Sequence, residues 1–112
     1  MGGRLYLNKF SEEIQGSLIL IGSSMLELHA TVHGRVHAIG FRATTCSFAQ
    51  QMSLKGLVRN KMDGSVEIIA QGKKELLEKL IDKLKSAFDQ IEDIEIKYAE
   101  PKTSYEGFSI SL

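Results

Sequence analysis

Between an alternating stretch and a helical one the chain carries the loop Gly34-Arg35-Val36-His37-Ala38-Ile39-Gly40-Phe41-Arg42. Its residue types suit the binding of an anion. Glycines let the backbone turn so that successive N–H groups converge, and the helix that follows starts with N–H groups that have no intrahelical acceptor. Such donors together can surround an oxyanion. Arg42, in the first helical turn, adds a planar guanidinium that fits phosphate or carboxylate through two parallel bonds. An arginine there opposes the helix dipole, and an anion bound beside it makes the placement favourable. Fourteen basic and fourteen acidic side chains cancel over 112 residues. Anion attraction must therefore be local, not a property of the whole surface.

Two other groups of residues invite chemistry and carry less. His29, His33 and His37 recur every four residues. On a strand that spacing separates neighbours by roughly 13 Å, too far for ligands of one ion. No metal and no cofactor is predicted. His29 and His33 read as solvent-face residues, whereas His37 either assists the loop or substrate or is a neutral occupant of its position. Cys46, the single cysteine, reads as a small core residue and not a nucleophile, because no activating partner is apparent. It cannot form an internal disulfide, which suits a cytoplasmic protein.

The elements that position the loop follow from periodicity. Leu26, Leu28, Ala30 and Val32 alternate with polar residues as a half-buried strand. Arg42 to Met52 is helical, with Thr45, Phe48, Ala49 and Met52 facing inward. Leu57 to Lys61 and Ser65 to Ala70 read as strands joined through Met62-Asp63-Gly64, a hairpin signal. Leu76, Leu77, Leu80, Ile81, Leu84 and Phe88 repeat at helical spacing, opposite a lysine- and glutamate-rich face. Ile94 to Tyr98 and Phe108 to Leu112 alternate as two further strands. The order is β-α-β-β-α-β plus a C-terminal strand. Two one-sided helices need one apolar sheet face, so the predicted fold is an α+β ferredoxin-like sandwich. Its sheet is mixed, mostly antiparallel, with both helices on one face.

Residues 25–112 form the domain, and residues 1–24 read as an N-terminal extension. The extension is weakly ordered, or an extra edge strand, or an over-extended start before Met25. Its apolar run, Ser17 to Gly22, is too short to span a bilayer, and Glu12 and Glu13 do not suit a signal peptide.

Taken together, these motifs resemble the acylphosphatase family. The family pattern is a glycine, then V-Q-G-V, any residue, F-R, a helix, then G-x-V-[RK]-N and D-G-x-V. Here the stretches read Gly34 to Arg42, Gly56-Leu57-Val58-Arg59-Asn60 and Asp63-Gly64-Ser65-Val66, with a closing Tyr105-x-x-Phe108-Ser109-Ile110. The resemblance spans Leu26 to Leu112. It implies that Arg42 is the substrate-binding arginine and that Asn60 orients the attacking water. It also implies that His37, Ala38, Ile39, Gly40, Phe41 and Arg42 form the phosphate-binding loop. The implied activity is hydrolysis of the carboxyl-phosphate anhydride of acyl phosphates to carboxylate and inorganic phosphate, by a monomer.

Two positions depart from the pattern. His37 stands where the family has glutamine, and Ala38 where it has glycine. If that glycine has positive φ, Ala38 strains the loop by roughly 1–2 kcal/mol or shifts it. If not, alanine costs little. Gly34 is equally a turn glycine or a functional one. The alternative to an enzyme is a non-catalytic phosphate- or anion-binding module of the same fold, and phosphate or sulfate ion is the expected small partner beside the acyl phosphate. Nucleic acid is excluded as a partner because the exposed strands lack paired aromatics and net charge is zero. No membrane partner is predicted.

Overall fold

The computed structural model describes residues 6–8, 10–12 and 25–112. At the N-terminus, β1 (Tyr6–Asn8) and β2 (Phe10–Glu12) pair antiparallel with each other. The rest of residues 1–24 lies outside the described residues, and with it most of the reading of that segment.

Alternation and helical spacing build the remainder as expected. In β3 (Leu26–Gly34) the side chains of Leu28, Ala30 and Val32 are buried on one face, while His29 and His33 stay half-exposed on the other. Helix α1 (Phe41–Gln51) buries Phe41, Thr45 and Ala49, three positions four residues apart. A hairpin follows, β4 (Lys55–Asn60) and β5 (Val66–Gly72). Helix α2 (Lys74–Ala87) buries Leu77, Leu80, Ile81 and Leu84. The chain closes with β6 (Ile91–Ala99) and β7 (Phe108–Ile110). The sheet order is β6-β3-β5-β4-β7, antiparallel throughout except where β7 joins β4 in parallel. Phe41 of α1 meets Phe88, just beyond α2, with ring centroids 5.0 Å apart, so the two helices share one face.

Strand bounds differ from the sequence reading in one way that matters. β4 starts at Lys55 and stops at Asn60. Asn60 is thus the last residue of its strand, which the sequence reading ran on to Lys61. The strand stops because the Lys61 N–H turns to the Ser65 carbonyl, 2.8 Å away, and closes the hairpin.

Candidate active site

The loop between β3 and α1 is fixed at its start by close contacts. Gly34 has φ +134°, and a Cβ there would stand 2.1 Å from the Gln90 carbonyl oxygen. Glycine at this position is therefore a packing requirement, which decides between its two readings. The Arg35 N–H then donates to the same Gln90 carbonyl at 3.2 Å. Val36 is buried.

His37 ties the middle of the loop to the β4–β5 hairpin. Its Nε2 lies 3.1 Å from the Ser65 carbonyl oxygen. A carbonyl only accepts, so Nε2 carries the proton. That carbonyl also holds Lys61, and the Ser65 N–H and hydroxyl both donate to Asp63 Oδ1, at 2.9 and 2.6 Å. The Ser65 hydroxyl and then its N–H hold the Asp63 carboxyl below its usual range. Of the two readings of His37, the structure supports a loop-holding one. Asp63-Gly64, read from sequence as a hairpin turn, is that turn, and it also presents the carbonyl that His37 uses.

The next residues are bent into left-handed backbone. Ala38 has φ +61° and Gly40 φ +80°. The conditional cost of alanine therefore applies, at about 1 kcal/mol. Gly40 is the N-cap of α1, where it brings no capping side chain, and the first turn contains no acidic residue. Its carbonyl accepts from Thr44 at 2.9 Å. Among the described residues, the N–H groups from Ala38 to Arg42 donate to no protein acceptor. Nor does the Arg42 guanidinium form an ion pair or hydrogen bond there. Five main-chain donors and a cation are thus left open at one helix N-terminus, the arrangement that binds anions elsewhere.

A cavity of about 160 Å³ lies against these groups, lined by Val36, Ala38, Gly40, Phe41, Arg42, Ala43 and Ile110. Larger hollows near Lys85 and Glu92, and near Lys55 and Thr103, do not include the open amides.

Asn60 reaches the same end of the sheet. It pairs with Val66, which pairs in turn with Val32 of β3, just ahead of the loop. Alternation along β4 puts its side chain with Gly56 and Val58, on the face that the helices cover. Its Oδ1 is buried and has no hydrogen-bond partner among the described residues. Ile110, which lines the cavity with Arg42, pairs with Val58. From the strand spacings, Asn60 and Ile110 have Cα atoms about 8 Å apart. The loop residues and Asn60 therefore gather at one end of the molecule.

Elsewhere among the described residues, Thr45 Oγ1 and His33 Nε2 are also buried without a hydrogen-bond partner. His29 Nε2 meets Glu27 Oε2 at 2.5 Å and His33 Nε2 lies 3.4 Å from Glu95 Oε2, so the three histidines face three different partners. Cys46 sits half-buried with Sγ 3.4 Å from the Phe108 carbonyl. Sequence reasoning missed the Ser65 carbonyl and Ile110. The Asp-Gly-Ser turn signals the first, since an aspartate two residues ahead of a serine makes this kind of turn. Nothing local signals the second, because only the parallel β4–β7 pairing brings it here.

A family model for acylphosphatase matches residues 28–110. The acylphosphatase of Mycolicibacterium smegmatis is 38% identical over 84 residues, covering 73% of this chain and 86% of the relative. That of Ligilactobacillus salivarius is 40% identical over 83 residues, covering 71% and 91%. The crystal structure of acylphosphatase from Bacillus subtilis superposes with a TM-score of 0.73 at 31% identity, over 78% of this chain and 99% of that one. The matched stretch takes in the loop, the hairpin and the closing strand, and the chain belongs to the acylphosphatase family.

Proposed function

We propose that this acylphosphatase works by placement and charge, with Arg42 and Asn60 as its catalytic residues and the amides from His37 to Arg42 as its phosphate cradle. The observation that carries the reading is the row of N–H groups at the start of α1, next to the Arg42 guanidinium, all without a protein partner among the described residues. Phosphoryl transfer spreads negative charge over the equatorial oxygens, and donors already in place stabilise it without reorganising.

The buried, unpartnered Asn60 Oδ1 supports the role of water holder. A carboxamide does not titrate near neutral pH, so it accepts a hydrogen bond from the water and orients it without acting as a base. Water oxygen attacks phosphorus, the bond from phosphorus to the acyl oxygen breaks, and the carboxylate departs with that electron pair. The water proton passes to a phosphate oxygen. A carboxylate is stable on leaving, so no general acid is needed. The substrate is a small acyl phosphate, and inorganic phosphate or sulfate occupies the same cradle.

We also read the protein as a cytoplasmic monomer. None of the described helices is long and apolar enough to cross a membrane. The test is hydrolysis of acetyl phosphate by the wild type, Arg42→Ala and Asn60→Ala. The reading requires turnover in the first and its loss in the other two. Equal rates in all three would reject it, and phosphate binding without turnover would select the non-catalytic module.

A further inference from the structure

The cavity beside Arg42 has a second character that phosphate binding does not use. Apart from Arg42, every side chain in its wall is apolar, and glycine supplies the rest. Val36 and Phe41 are almost fully covered, at 1% exposure each, whereas Ile110 is 44% exposed. Ile110 is therefore the large apolar side chain in that wall with surface to offer a ligand. It occupies the helix-covered side of β7, because its parallel partner Val58 is buried there. The one charged group in the wall is already assigned to the phosphoryl oxygens.

We propose that Ile110 is the docking wall for the acyl group of the substrate, selecting uncharged, apolar acyl groups. The proposal rests on the assignment of the cradle to phosphate. A space of about 150 Å³ with apolar walls is enough to hold benzene. This cavity, at about 160 Å³, also borders the cradle, so beside the phosphoryl group it takes only the part of an aromatic or branched acyl group next to the anhydride. An acyl group ending in a second carboxylate finds no second cation in the wall, and desolvating that charge against Ile110 is unfavourable.

The experiment compares kcat/KM for benzoyl phosphate, acetyl phosphate and succinyl phosphate in the wild type and in Ile110→Ser. The anhydrides differ in intrinsic lability, so the decisive quantity is the change in their ratios between the two proteins. The benzoyl-to-acetyl ratio is expected to fall about tenfold in Ile110→Ser, through a higher KM for benzoyl phosphate. In Ile110→Lys, the succinyl-to-benzoyl ratio is expected to rise. If Ile110→Ser does not fold, Ile110→Val keeps the strand and is expected to lower the benzoyl-to-acetyl ratio about twofold. Hydrolysis with unchanged ratios in the folded variants would overturn this inference alone. Failure of the wild type to hydrolyse any of the three would overturn the catalytic reading with it, and failure to bind inorganic phosphate as well would overturn the cradle assignment.

Discussion

The two ends of β3 are built from similar polar material and use it in opposite ways. At the Glu27 end every group is engaged. Gln71 Nε2 donates to Glu27 Oε1 at 2.7 Å and to the Thr103 carbonyl at 2.6 Å, while Glu27 Oε2 takes His29. Glu27 and Gln71 are buried on the sheet face away from the helices, and they fasten the segment after β6 onto it. At the Gly34 end, five amides, a guanidinium and the Asn60 carbonyl oxygen have no protein partner among the described residues. An unpaired polar group out of water costs stability, so the buried Asn60 Oδ1 is destabilising for folding, whereas the amides of the exposed loop stay open to solvent. Saturation marks the Glu27 end, and unfilled hydrogen bonds mark the end to which we assign the chemistry.

The contrast predicts that damage separates cleanly. Arg42→Ala and Asn60→Ala are expected to lower kcat/KM for acetyl phosphate by about 100-fold to 1,000-fold, the size of losing one oxyanion donor. The first acts through KM and the second through kcat. Neither is expected to lower the urea midpoint, because each removes a group that makes no hydrogen bond or ion pair among the described residues. A drop in stability matching the drop in rate would erase the distinction between the two ends.

Gln71→Ala reverses the pattern. It leaves the Glu27 carboxylate short of a donor, at a cost of about 1–3 kcal/mol in urea unfolding, with kcat and KM unaltered. The same end predicts a pH response. Burial pushes the Glu27 carboxyl up, but hydrogen bonds from Gln71 and His29, with the charges of His29 and Lys102, outweigh it and hold the group below its ordinary value of 4.5. A carboxyl held low when folded adds stability above its unfolded value, and that stability is lost as pH falls through the folded one. The urea midpoint is expected to decline below pH 4.5 in the wild type and to decline less in Glu27→Gln.

The smallest effect sharpens the comparison within the site. Ala38→Gly relieves a left-handed alanine but adds freedom to the unfolded chain, for a net gain of about 0.5 kcal/mol in stability. A loss of stability would mean that the alanine backbone is not strained.

Much of this was legible in sequence, because one-sided burial writes its period directly into the residues. Leu28-Ala30-Val32 and the leucine stripe of α2 could form little else. The place of the loop was legible too, because a strand period ends and a helical one begins on either side of it. What escaped was set by contacts between distant segments. The end of β4 at Asn60 depends on the Ser65 carbonyl, the backbone of Ala38 on the His37 tie, and the cavity on β7 lying parallel to β4. None of these leaves a periodic trace.

The central claim is that the open amides of the loop hold a phosphoryl group. It is tested most directly by following backbone amide resonances while inorganic phosphate is added. Large, saturable shifts are expected at Ala38 to Arg42 and at the Asn60 side chain, and they should vanish in Arg42→Ala. Shifts absent from that stretch, or centred near Glu27 and Thr103, would contradict the account.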